Sequence, residues 1–263
     1  MSVTPIDPMG KRLLLVNDDG INAPGLRVLE EIARELTNDI WIFAPETEKS
    51  GSSHSLTLNA TVRIERVSKK KYSVVGTPTD CVLMAVNTIM KDMPPDLVLS
   101  GINQGLNIAD DISYSGTVAA AMEGALLGLP SISLSQQSEY GRRANWSVAK
   151  RFAPDIIIRL LSLKWRRDVF MNINFPDQHK ENVTEIVAVR QGQRSKSYQI
   201  IEVPDPRKNN LYMIGNPHPG QSLGYGDTDN KAVERGAISI TPLQVNQTHA
   251  GTLRELKILF SEG

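Results

Sequence analysis

Lys11-Arg12-Leu13-Leu14-Leu15-Val16-Asn17-Asp18-Asp19-Gly20 is the stretch from which the fold can be read. The apolar run through Val16 shows no polar alternation, so it reads as a strand buried on both faces of a sheet. Two adjacent acids follow it at once. In open α/β sheets, ligands collect in the crevice beyond the carboxyl ends of such strands. Two carboxylates placed there repel each other unless a cation or a shared proton separates them. Oxygen donors suit a hard divalent ion. Asp-Gly is equally a hairpin-turn signal, and an ordinary turn is the competing reading. A hairpin needs a second alternating run directly afterwards. Here Ile21-Asn22-Ala23-Pro24-Gly25 leads into Leu26, Leu29, Ile32, Ala33 and Leu36, which is helical spacing. Pro24 suits a first helical turn, with Asn22 or Ala23 in the cap region. The order is strand, acidic loop, helix.

The alternation continues outward. Asp39 to Ala44 reads as a second buried strand, closed by Pro45. Ser55 to Asn59, Arg63 to Val67 and Tyr72 to Val75 read as short strands of a meander. Gly76 to Asp80 opens a helix holding Val82, Leu83, Val86 and Ile89. Asp96 to Ser100 is a strand, followed by a Gly- and Asn-rich loop from Gly101 to Asp111. Val118 to Leu127 is a helix of small residues ended by Gly128. Pro130 to Leu134, Trp146 to Leu163 and Val169 to Phe175 read as strand, helix and strand. This pattern predicts an α/β fold, Rossmann-like, with a mostly parallel sheet and helices on both faces.

Beyond Pro176 the chain is richer in Gly, Pro and Asn, with strand candidates at 185–190, 199–203 and 211–214. It is too thin in apolar residues to own a core, so it reads as a β-hairpin arm suited to subunit contact. Gly236 to Leu243 looks like a returning strand and Leu253 to Leu259 a closing helix. The expected division is a core over 11–176, an arm and oligomerisation extension over 177–235, and a return strand and helix over 236–263.

Composition narrows the function classes. Lys plus Arg and Asp plus Glu both total 29, so no basic footprint marks a nucleic-acid duplex or an anionic membrane as partner. Cys81 is the only cysteine, which rules out an intrachain disulfide or a cysteine metal cage and suits a reducing compartment. The first ten residues lack the basic start and apolar stretch of a signal peptide, and no apolar run reaches about 18 residues. The expectation is a cytoplasmic protein.

Three loops after strand ends share a chemical character. Asn17-Asp18-Asp19-Gly20 offers carboxylates, Ser50-Gly51-Ser52-Ser53-His54-Ser55 offers hydroxyls, and Ser100-Gly101-Ile102-Asn103-Gln104-Gly105-Leu106-Asn107 offers amide oxygens. Together they would form an all-oxygen cage for a hard cation with open positions. Ser113-Tyr114-Ser115-Gly116-Thr117 starts a helix, where free N–H groups and the dipole favour an anion. Ser115 or Thr117 either caps that helix or donates to a phosphate. His54 reads as a polar neighbour without catalytic duty, Cys81 as a packed small hydrophobe, and Asp80 as a structural cap. Aromatics make up 5% of the chain and form no evident base-reading cluster, which predicts modest base selectivity.

These segments, taken in order with Gly76-Thr77-Pro78-Thr79-Asp80-Cys81-Val82 and Tyr114-Ser115-Gly116-Thr117-Val118-Ala119-Ala120-Ala121-Met122-Glu123-Gly124, closely resemble the SurE family, the survival-protein 5′-nucleotidases. The match extends through Asn172-Ile173-Asn174-Phe175-Pro176 and Thr228-Asp229 to Ser239-Ile240-Thr241-Pro242-Leu243. It is loose over 190–215, and Ala237 stands where the family often carries an aromatic residue. The resemblance implies a metal-dependent phosphatase of nucleoside 5′-monophosphates, with some breadth toward 3′-nucleotides and polyphosphate. It implies one divalent cation per subunit, Mg2+ or Mn2+, with ligands falling on Asp18, Asp19, Ser50 and Asn103. Gly51, Ser52, Asn107, Ser115, Gly116 and Thr117 are then the phosphate and substrate contacts, and Asp18 is the candidate base or orienting group. Homodimers or homotetramers built with the C-terminal region are implied as well.

Two rivals differ in testable features. A receiver-type signalling domain wants a phosphorylatable Asp after a middle strand, where this chain has Ala44 and Ser100 at the strand ends. A non-catalytic nucleotide-binding module would keep the phosphate cradle without needing the acid pair. A dinucleotide site is poorly served, because Gly101 and Gly105 lack the required glycine pattern.

Overall fold

The computed structural model describes residues 2–3, 10–138, 142–194, 198–207, 210–217, 222–223 and 226–261. In chain order the strands begin with β1 (Ser2–Val3), β2 (Arg12–Val16), β3 (Asp39–Pro45), β4 (Arg63–Ser68) and β5 (Lys71–Val75). Then come β6 (Leu97–Gln104), β7 (Ser131–Gln136), β8 (Trp165–Arg166), β9 (Val169–Phe175) and β10 (Ile186–Ala188). The last are β11 (Gln193–Arg194), β12 (Tyr198–Val203), β13 (Leu211–Pro217), β14 (Ser222–Leu223) and β15 (Ile238–Gln244). The α-helices are α1 (Pro24–Leu36), α2 (Pro78–Met84), α3 (Gly116–Leu126), α4 (Ser147–Leu161), α5 (Asp229–Glu234) and α6 (Ala250–Leu259).

Nine strands form one sheet in the order β10-β15-β9-β7-β6-β2-β3-β5-β4. The run from β9 through β5 is parallel throughout. The chain leaves β2 toward β3 on one side and later returns through β6 on the other, so β2 and β6 flank a topological switch point. Alternate residues of β2 explain its uninterrupted apolar run. Leu13 and Leu15 pack with α1 and α4 residues such as Leu29 and Ile157, whereas Leu14 and Val16 pack with Cys81 and Val82 of α2 and Ala120 of α3. The expected helix faces are in place: Leu26, Leu29, Ile32, Ala33 and Leu36 of α1 are all buried.

Several elements differ from the sequence reading. No strand forms over 55–59. The Thr57 N–H and hydroxyl both donate to the Asp80 carboxylate, at 3.1 and 2.6 Å, which ties this segment to the start of α2 instead of to a ladder. The strand expected to end at Ser100 runs on to Gln104, with a register shift between Ser100 and Asn103. Gly101 makes that irregularity possible: its φ is 135°, and a Cβ there would lie 2.3 Å from the Leu134 carbonyl oxygen. Residues after Met84 continue α2 as a π-helical segment, Ala85–Ile89. Within the segment read as an arm, β12 and β13 form the antiparallel hairpin, while β10 joins the main sheet beside β15. Val189, Ala232 and Ala237 make a small apolar cluster there, and α5 had no counterpart in the sequence reading. The pairing of β1 with β8 was likewise not read. No helix among the described residues is long and apolar enough to cross a membrane.

Candidate active site

The acid loop leaves β2 at the switch point. Asn17 donates its amide to the Gly20 carbonyl at 2.9 Å, and Gly20 takes a φ of 101°, so the turn is closed from within and projects two carboxylates. It opens on a cleft of about 780 Å³. Asp18, Asp19, Ser50, Gly51, Asn103, Asn107 and Ser115 all line this cleft, so most of the sequence-derived set converges from three loops and a helix start. Ser52, Gly116 and Thr117 lie behind that lining rather than in it.

The electrostatics of the pair are unfavourable as they stand. Burial raises Asp18 above the usual carboxylate range, although the Thr117 hydroxyl and backbone N–H hold its charged form and partly offset the rise. Burial, followed by the Asp18 charge, pushes Asp19 up to about 7, and a backbone hydrogen bond from Gln104 only partly opposes it. Glu48, on the cleft wall, adds a further upward push to both acids. The sequence reading missed Glu48, whose signal was its position two residues before Ser50.

Each oxygen has a definite placement. Ser50 donates its hydroxyl to Glu48 Oε1 at 2.8 Å. Asn103 donates its amide N–H to the Gly105 carbonyl at 2.9 Å, which leaves the amide oxygen as its free donor atom toward a cation. No group of three or more His, Cys, Asp or Glu side chains able to hold a metal gathers among the described residues. A cation held here would therefore take a mixed set of carboxylate, hydroxyl and amide oxygens, which fits a hard divalent ion and disfavours a soft one. The buried Ser52 hydroxyl has no partner and faces Gly116, where a Cβ would lie 2.9 Å from it and 2.8 Å from the Asp18 Cβ. The closeness of α3 to the acid loop thus requires glycine at 116.

At the helix start, the donors described go to groups of the chain itself. Thr117 gives both its hydroxyl and its N–H to Asp18, so the positive end of α3 holds a carboxylate of the chain itself. Of the two roles open to Ser115, the structure shows the cap: its oxygen accepts from the Val118 N–H at 3.1 Å. Asn107 is committed to scaffold bonds with Ser135, Asn172 and Asn174. Asp80 closes a reciprocal capping box with Thr77, and Cys81 is buried among apolar neighbours, as read. His54 points to Glu123 of α3, with Nε2 2.8 Å from Oε2.

At the outer end of the cleft, Tyr114 and Tyr198 meet edge-to-face with ring centres 5.6 Å apart. The Tyr198 hydroxyl donates to Asp111 Oδ1 at 3.2 Å, and Arg194 pairs with the same carboxylate. Burial and the Asp111 charge push the Tyr198 phenol up to about 12, so it stays a donor. This pair of rings on the cleft is a feature the sequence reading did not find. One ring comes from the hairpin arm and the other from the core, a juxtaposition that sequence distance hides.

Comparison with known proteins follows the same lines. Residues 13–198 match the family model described as Survival protein SurE. A 5′-nucleotidase SurE of Paramagnetospirillum magneticum is 49% identical over 261 residues, covering 99% of this chain and all of the relative. One from Parvibaculum lavamentivorans is 50% identical over 254 residues, covering 93% of this chain and 89% of the relative. Among solved structures, the SurE protein of Aquifex aeolicus superposes with a TM-score of 0.80 at 34% identity, over 94% of this chain and 99% of that one.

Proposed function

This chain belongs to the SurE family, and from that premise we propose that it is a 5′-nucleotidase that hydrolyses nucleoside 5′-monophosphates to nucleoside and phosphate. The observation that carries the proposal is the convergence of Asp18, Asp19, Ser50 and Asn103 on one cleft, with two acids whose charges are mutually unfavourable until something positive separates them. Asp18, Asp19, Ser50 and Asn103 would hold one divalent cation, Mg2+ or Mn2+, per subunit. A bound cation of this kind neutralises phosphoryl charge and lowers the pKa of a water beside it.

The chain's own residues do the rest. Asp18, fixed by Thr117, orients the attacking water or takes its proton. The Gly116 N–H and the unpartnered Ser52 hydroxyl, just behind the cleft lining, would be donors to phosphoryl oxygens at the start of α3. Gly51, with a φ of 73° and open space around its α-carbon, lets a phosphate approach the backbone. Tyr114 and Tyr198 supply apolar surface for the nucleoside end, in keeping with hydrolysis that also extends to 3′-nucleotides. Polyphosphate would use the oxygen-lined end alone.

Assembly as a homodimer or homotetramer belongs to the same reading. It is supported by apolar side chains left in solvent on the hairpin (Ile200, Tyr212 and Ile214) and on α6 and the residue after it (Ile258, Leu259 and Phe260). Light scattering of the intact protein, returning a monomer, would remove that part. A cytoplasmic location rests on the lone cysteine, Cys81. Phosphate release from AMP, measured with Mg2+ or Mn2+ and again with chelator, tests the central claim. Release that persists undiminished after exhaustive chelation would overturn the cation reading, and no release under any condition would overturn the nucleotidase reading.

A further inference from the structure

We propose that His54 is a positioning residue that sets the spacing between the cation-binding loop and the start of α3 by latching the loop onto the buried Glu123. The inference rests on the site reading given above. It begins with a helix that has an anomalous residue. Of the eleven residues of α3, Gly116 to Leu126, Glu123 is the only charged one, and it is buried at 7% exposure. A buried carboxylate destabilises the fold unless it is paired. Its partner is His54 Nε2, at 2.8 Å, from the loop that carries Ser50, Gly51 and Ser52.

The latch is one of several anchors, and its location gives it meaning. On the near side of the loop, the Lys49 N–H donates to the Asp18 carbonyl at 2.8 Å. On the far side, Thr77 donates to the Ser55 carbonyl at 2.8 Å and Thr57 is bound by Asp80. Between them, Ser53 gives its N–H to the Tyr114 carbonyl and its hydroxyl to the Ser113 carbonyl, at 3.0 and 2.8 Å. Ser53 holds a φ of 52°, in the left-handed region a non-glycine residue takes up only under constraint. His54, the next residue, reaches past the first turn of α3 to Glu123 in its body, a hydrogen bond that no other side chain of this loop makes among the described residues. Without it, the Ser50–Ser52 apex keeps bonds to the residues before α3 and loses its tie to the helix itself. The donors at Ser50 and Ser52 would then have to be ordered when the cation and phosphate arrive, and that cost would appear as weaker binding.

The test uses the full chain, freed of metal, and two variants. Mn2+ is titrated calorimetrically into wild type, His54→Ala and His54→Gln, and KM and kcat for AMP are then measured at saturating Mn2+. His54→Ala should bind Mn2+ about tenfold more weakly and raise KM several-fold, with kcat within about twofold of wild type. His54→Gln, whose amide nitrogen reaches the Glu123 carboxylate, should recover most of that affinity. Wild-type Mn2+ affinity and KM in His54→Ala would overturn the proposal. So would a collapse of kcat at saturation that His54→Gln does not repair, because His54 would then act on the reacting atoms. The outcomes separate from those for the enzyme as a whole. Wild type that binds no Mn2+ overturns the cation site and the latch with it, whereas wild type that binds Mn2+ but leaves AMP intact overturns the nucleotidase reading and leaves the Mn2+ comparison in force.

Discussion

Asp19 and Asp80 follow turns at the same strand-to-helix kind of junction, yet their surroundings push them in opposite directions. Burial acts to raise both. At Asp80, hydrogen bonds from the Thr57 hydroxyl and the backbone of Thr77 and Thr57 outweigh it, and the carboxyl ends below its usual range. At Asp19, the neighbouring Asp18 adds to burial and one backbone bond from Gln104 does little against them, so the group rises to about 7. Asp80 accepts donors supplied by the chain from Thr57 and Thr77, and serves the fold. Asp19 has been left short of positive charge, which marks a place where something outside the chain is meant to supply it.

Substituting Asp19 by Asn should have the largest effect, and the effect should be on function. The change keeps size and shape but removes a formal charge from the cation set. Losing ~3 kcal/mol of metal-dependent stabilisation cuts the rate about a hundredfold at fixed metal. Phosphate release from AMP measures it, and circular dichroism should show an unchanged fold. If Asp19 only binds, excess Mn2+ should restore much of the rate. A folded Asp19→Asn protein that saturates at the wild-type Mn2+ concentration and is fully active would erase the contrast.

Asp80→Ala should do the converse. It removes a capping box and leaves the Thr57 and Thr77 donors without their acceptor, a loss of about 2 kcal/mol in unfolding free energy. Urea unfolding at neutral pH would register it. Activity per folded molecule should fall far less than in Asp19→Asn, because Asp80 bonds to Thr57, beyond the Ser50–His54 loop, and the Ser55 carbonyl is held by Thr77 rather than by Asp80. An Asp80→Ala protein as stable as wild type would show that its bonds are exchanged for water at no net loss.

The half of the molecule that the sequence disclosed follows from this contrast. Strands such as Leu13–Val16 and helices such as α1 announce themselves through apolar spacing, and Asp18 and Asp19 through adjacency, which local rules register. Tyr198 and Asp111 could not be found that way, because their part in the site depends on which loops the switch point brings together, whereas Glu48 carried a local signal only in its closeness to Ser50. The absent strand at 55–59 has the same cause: Thr57 looks like a β-former, but the acceptor that claims its backbone N–H is Asp80, on another element. The helix start at Ser115-Gly116-Thr117 was legible as an anion site, yet the anion it holds is Asp18, and only the fold could show that.

Stability of the metal-free protein against pH should separate the two acids by sign. The folded values of Asp18 and Asp19 lie above the ordinary 3.8, so between about 4 and 7 the folded chain binds more protons than the unfolded one. Stability in that window must fall as pH rises. Asp80 acts oppositely: its contribution is complete above its ordinary value and is lost as pH falls through its lowered one. The melting temperature of chelated protein should therefore drop by several degrees from about pH 5 to about pH 8. Asp19→Asn should flatten that drop, and Mn2+ should reverse it in wild type. A melting temperature that is level across this range in chelated wild type would mean that the acid pair is already relieved within the chain.

The smallest expected effect belongs to Thr117→Val, and it decides what the start of α3 does. Thr117 is fully buried and its hydroxyl goes to Asp18, while its backbone N–H supports the same carboxylate. Valine matches its volume and keeps the N–H, so only one hydrogen bond to a charged group is lost. Such a bond contributes about 1.5 kcal/mol, which corresponds to a rate or affinity change of about tenfold. If the hydroxyl positions Asp18, the loss should appear in Mn2+ affinity, with KM for AMP at saturating Mn2+ nearly unchanged. If the hydroxyl instead swings to a phosphoryl oxygen when substrate is bound, Mn2+ affinity should hold and KM should rise. Calorimetry on the metal-free variant and steady-state kinetics on the loaded one distinguish these results. The first would place Thr117 beside Thr57 and Thr77, as a hydroxyl or amide that steadies a carboxylate, with the difference that the acid it steadies faces the cleft.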